Sequence, residues 1–165
     1  MIEKAFNHTS GFAKVIGDTI EWHNQSEILL SFDINQVLVV GEYTNSSGPW
    51  FDDWFLVFVT RDGNWFEISC YCENIDDVTQ FLSRKLDSTL ARCRLANSAG
   101  WESIVSYPKP LAGKSMFQVN PGMKSHVPRT FWERVKFACG LRDFNRSQEV
   151  SLSDHVKLFV ETASR

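Results

Sequence analysis

The chain has 165 residues, of which 43% are hydrophobic, 13% aromatic and 22% charged, with a net charge of −3. That length suits one domain with its own core and no need of disulfide or metal staples, and the composition excludes wholesale disorder. No apolar run approaches the roughly eighteen residues of a membrane helix, and the opening MIEKAFNHTS lacks the basic and apolar regions of a secretion signal, so a cytoplasmic protein is expected.

In chain order, the first pattern is a hairpin. Phe12–Ile16 and Thr19–His23 flank Gly17-Asp18, a two-residue turn in which Gly supplies the positive φ. Residues 27–33 alternate apolar and polar, and 36–43 follow with a continuous apolar patch at Val37–Val40. Their β-branched content predicts two strands, or one long strand bent near Asn35. Thr44–Pro49 (TNSSGP) reads as a loop. A second hairpin comes next, with strands over 54–60 and 65–72 about the turn Arg61-Asp62-Gly63-Asn64. Trp54–Val59 is apolar on both faces, which predicts a central strand covered on both sides.

Ile75, Val78, Phe81, Leu82 and Leu86 recur at helical spacing, with Asn74 as N-cap and Asp76 and Asp77 in the first turn. The pattern predicts an amphipathic helix over 75–92. Beyond it, 101–107 and 115–119 read as short strands among many prolines and glycines. Thr130 to Glu133 has the form of a capping box and starts a helix that Gly140 stops. A last helix, about 153–163, takes Ser153 as its cap.

Strands first and helices later predict an α+β fold. We expect an antiparallel sheet of five to seven strands, then a long amphipathic helix, then a mixed C-terminal part with two short helices. Residues 1–165 would form one domain, with 11–92 as sheet-plus-helix core and 93–165 as an extension packed on it. Residues 11–92 resemble bacterial pleckstrin-homology-like domains. The resemblance is carried by Ile28–Val40 (ILLSFDINQVLVV), the turn Arg61-Asp62-Gly63-Asn64 and the amphipathic helix after Cys72. The long segment after that helix departs from the pattern. The resemblance implies a binding module and names no ligand.

Few residue groups here can carry chemistry. Asp52-Asp53 is a paired carboxylate that would bind a divalent cation or divide acid and base roles, with Glu42 as a third acid. Strand alternation, however, sends neighbours to opposite faces. Trp50 and Phe51, just ahead of that pair, are bulky aromatics suited to anchoring a protein partner, or else to folding back over the sheet. Residues 108–146 interleave Lys and Arg with aromatics, a pattern that suits single-stranded nucleic acid or an ordinary amphipathic surface. The charge balance is −8 over 1–107 and +5 over 108–165, so the two parts also suit each other.

Cys70, Cys72, Cys93 and Cys139 show no C-x-x-C spacing and read as free thiols, the first two on one strand face. Cys139 paired with His126 or His155 would be a thiol–imidazole dyad, but it falls near a helix C-terminus, which does not favour a thiolate. There is no G-x-S-x-G, no H-E-x-x-H and no phosphate-cradling glycine loop. No cofactor or metal is called for. The expected function is a non-catalytic intracellular binding module, most simply for protein, through Trp50, Phe51, Asp52 and Asp53. The alternatives are a metal-dependent enzyme using Asp52 and Asp53, and nucleic-acid binding through 108–146.

Overall fold

The computed structural model describes residues 10–24, 27–45, 52–90, 94–95, 100–119 and 150–164. Trp50, Phe51, Cys93, Cys139, His126, the expected helix from Thr130 and most of the basic stretch 108–146 lie outside the described residues.

The first hairpin joins β1 (Phe12–Ile16) to β2 (Thr19–Asn24), with Ile16 opposite Thr19. Gly17 has φ 59° and Asp18 keeps a negative φ, which makes a type II′ turn. β3 (Glu27–Asp33) pairs with β2 to complete a three-stranded antiparallel sheet. A short 3-10 turn, Ile34–Gln36, then carries the chain into a different sheet. The Asp33 carboxylate holds that turn by accepting from the Asn35 amide at 2.8 Å.

The second sheet contains β4 (Val37–Thr44), β5 (Trp54–Thr60), β6 (Trp65–Ser69) and β7 (Glu102–Tyr107), all antiparallel, in the order β6-β5-β4-β7. β5 is an inner strand, and its side chains divide as their two-faced apolarity requires. Phe58 joins Ile20, Phe32 and Ile68 and, from α1 (Ile75–Lys85), Val78 and Leu82 on one side. Val57 and Val59 join Val39, Val105, Met116 and Phe117 on the other. That second layer is closed by β8 (Phe117–Val119), β9 (Val150–Leu152) and α2 (Asp154–Ala163), which contributes Val156 and Val160. The four-stranded sheet is therefore buried on both faces, and each fully buried large apolar side chain contributes about 1.5–3 kcal/mol.

The fold is α+β, mostly strand, with antiparallel sheets and two α-helices among the described residues. Several expectations change in detail. Among the described residues the strands divide among sheets of three, four and two rather than one sheet of five to seven. α1 ends at Lys85, not near 92. Asp87 takes φ 45°, the Ser88 amide reaches back to Ser83 O at 3.0 Å, and the Asp87 amide reaches Arg84 O at 3.4 Å. That is a Schellman stop with Asp in the place Gly usually fills. Asn74 stands at the N-cap but is left-handed (φ 62°) and makes no side-chain cap. Its amide instead reaches the Ala13 carbonyl at 3.4 Å. Cys70 and Cys72 are buried, but they lie beyond β6 and enter different clusters.

Candidate functional site

The end of the four-stranded sheet where β5 begins gathers the acidic residues singled out above. Antiparallel register sets its neighbours. Val59 faces Trp65 and Phe55 faces Ser69, so Asp53 comes opposite Tyr71. The Asn45 amide donates to the Asp53 carbonyl at 2.8 Å, and Thr44 faces Glu102, which brings Trp101 beside Asn45. Tyr71, Asp53, Asn45 and Trp101 thus form one rank across four chain segments, about 14 Å from end to end at sheet spacing. Its outer members are the exposed aromatics, Tyr71 at 53% and Trp101 at 40% exposure.

The two carboxylates do not share a site. Asp53 accepts from the Tyr71 hydroxyl at 2.6 Å, whereas Asp52 accepts from the Ser10 hydroxyl at 2.9 Å. The Ser10 carbonyl in turn takes the Trp22 indole N–H at 2.8 Å, which ties Asp52 to β2 of the first sheet. Both donors are neutral hydroxyls, and among the described residues no Lys or Arg meets either carboxylate. Among the described residues their charge is therefore held in place without being cancelled. The phenol of Tyr71 registers this: its pKa is pushed up to about 12, first by the hydrogen bond to Asp53, then by burial and the nearby charges of Asp53, Asp52 and Cys70.

Glu42, the third acid, is committed elsewhere. It is buried on β4, where one oxygen accepts from the Trp54 indole at 2.7 Å and the other from the Arg94 backbone amide at 2.9 Å. Trp54 is likewise buried and meets Tyr71 edge-on at 6.1 Å. Glu42 thus supports the ring beneath the rank rather than joining Asp52 and Asp53 in an open site. Among the described residues no group of three or more His, Cys, Asp or Glu is placed to hold a metal ion.

The remaining candidates are quickly placed. His155 has its Nε2 at 2.7 Å from the Ser115 carbonyl, and its suggested partner Cys139 lies outside the described residues. Of the basic stretch, Lys109 and Lys114 are described and exposed. Tyr71, Trp101 and Ser10 were not singled out from sequence. The register of the second hairpin carries the signal for Tyr71, because a hairpin that pairs 59 with 65 also brings 53 opposite 71. No helix among the described residues is long and apolar enough to cross a membrane.

No family model, no curated protein and no solved structure matches this chain.

Proposed function

We propose that this protein is a non-catalytic binding module that uses the acidic–aromatic end of its four-stranded sheet to hold a basic segment of another protein. The observation that carries the proposal is the pair Asp52 and Asp53, each fixed by a neutral hydroxyl and unneutralised by any described cation, beside the exposed ring of Tyr71. Preset carboxylates give a basic partner an electrostatic target, and exposed aromatics give it flat apolar area at small entropic cost. Trp50 and Phe51 belong to the same proposal as anchors, because they directly precede the pair in sequence. The pleckstrin-homology-like resemblance of 11–92 belongs to it as well and rests on sequence pattern. A cytoplasmic setting is part of the reading, supported by Cys70 and Cys72, two buried cysteines outside any disulfide.

The test is an alanine series at Trp50, Phe51 and Tyr71, read for both melting temperature and capture of a partner by the tagged protein. The proposal expects melting within a few degrees of the parent, loss of the captured partner, and weaker capture as salt rises. Capture that persists in all three variants contradicts it. So does a large fall in melting temperature on replacing Tyr71, which would make that ring part of the core.

A further inference from the structure

We infer a second protein-binding site, independent of the acidic end: the outer edge of β1, at Val15, takes a short extended peptide as an added strand, in the groove between β1 and α1. The hairpin geometry dictates which backbone groups are available. The type II′ turn makes Ile16 and Thr19 a hydrogen-bonded pair, so Lys14–Glu21 and Phe12–His23 are the next bonded pairs. Ala13 and Val15 therefore turn their amide and carbonyl away from β2. At Ala13 the outward edge is filled by the chain itself. The amide donates to the Glu73 carbonyl at 2.9 Å, in a parallel bridge, and the carbonyl accepts from Asn74. At Val15, two residues on, no described group meets either. The edge already accepts one backbone in strand geometry, and among the described residues its next position is open.

The open position lies in a groove of about 370 Å³, in the size range of ligand sites. α1 runs alongside β1 in the same direction. Asn74 is beside Ala13 at one end, and the Lys85 ammonium is 2.9 Å from Asp18 at the other. Eleven helical steps and five extended steps each span about 16 Å, so the two walls keep pace. Both ends are tied, which limits the occupant to about three residues in contact.

Side-chain alternation defines that occupant. A residue exchanging both hydrogen bonds with Val15 in antiparallel fashion puts its side chain on the Val15 side, over Val78 and Phe81 of α1. The residue following it comes opposite Lys14, whose ammonium lies on the solvent face, 5.1 Å from the centre of the Phe12 ring. The fitting segment is thus an apolar residue followed by an acidic one, in extended conformation. Backbone bonds supply affinity, and the alternate side chains supply selectivity.

The probes are four blocked pentapeptides, Thr-Val-Φ-Glu-Thr, with Leu, Ile, Val or Phe as Φ, added at millimolar concentration to the full ¹⁵N-labelled chain. The expected result is that at least one shifts the Val15 amide resonance and slows its hydrogen exchange about tenfold or more. N-methylation of Φ removes the donor to the Val15 carbonyl and should weaken binding about tenfold. Val15→Pro removes the opposite donor and should do the same while keeping the fold, because an outward edge amide is where strands tolerate proline. Should Val15→Pro fail to fold, the N-methyl peptide decides. Lys14→Glu should switch preference to the peptide carrying Lys in place of Glu. The inference is overturned if none of the four peptides moves Val15, if the N-methylated peptide binds as well as its parent, or if the shifts gather at Asp52, Asp53 and Tyr71, which would assign peptide binding to the acidic end.

Discussion

Tyr71 is the side chain through which the acidic end can be read directly. Its hydroxyl donates to Asp53, and ionising it would place a phenolate against two carboxylates, so its pKa rises from 10.0 to about 12. A group whose folded pKa is raised stabilises the fold below its unfolded pKa and loses that contribution as pH climbs through the folded value. The window here is pH 10 to 12. Ultraviolet titration of the tyrosines should show one phenol ionising near pH 12, and Asp53→Asn should bring it back toward 10. A titration unchanged by Asp53→Asn would mean the pair is not formed. At this scale the sequence was informative in a limited way. It marked Asp52 and Asp53 and the alternation that separates them. It did not mark Tyr71, which sits between two cysteines read as one strand face, nor Ser10, whose bond to Asp52 spans 42 positions. Contacts between elements distant in the chain leave no local pattern to read.

Elements were legible where one local rule dominates. The Gly17-Asp18 turn and the two-faced apolarity of β5 each follow from short-range chemistry, and the structure places both accordingly. The end of α1 was not legible, because the left-handed stop falls on Asp87 rather than on a glycine. Nor was β9, three residues long and paired with β8. Gly41 shows a constraint that only packing reveals. A Cβ there would lie 2.4 Å from the Ile104 carbonyl of β7 and 2.7 Å from Cε of the fully buried Met116. Gly41→Ala must push β7 and Met116 away from β4, an overpacking cost of roughly 1–3 kcal/mol. Urea denaturation should show that loss as a lower midpoint. An unchanged midpoint would mean the two strands yield freely.

At the scale of the molecule, one sheet separates two apolar clusters, and its strand ends carry the polar chemistry. The three-stranded sheet and α1 cover one face of the four-stranded sheet, while β8, β9 and α2 cover the other. Periodicity reveals that a strand is apolar on both sides but not which elements cover it, so the division into three sheets could not be read in advance. With both faces covered, the rank from Tyr71 to Trp101 is left at the margin, where exposed aromatics and fixed carboxylates meet solvent. The central claim is that this margin is where a protein partner binds. The most direct measurement places a photo-crosslinking amino acid at Tyr71, and in a parallel variant at Leu158, which is 65% exposed on α2. A protein adduct is expected from position 71, joined through a Lys- or Arg-rich segment, and none from position 158. An adduct from position 158 with none from position 71 would contradict it.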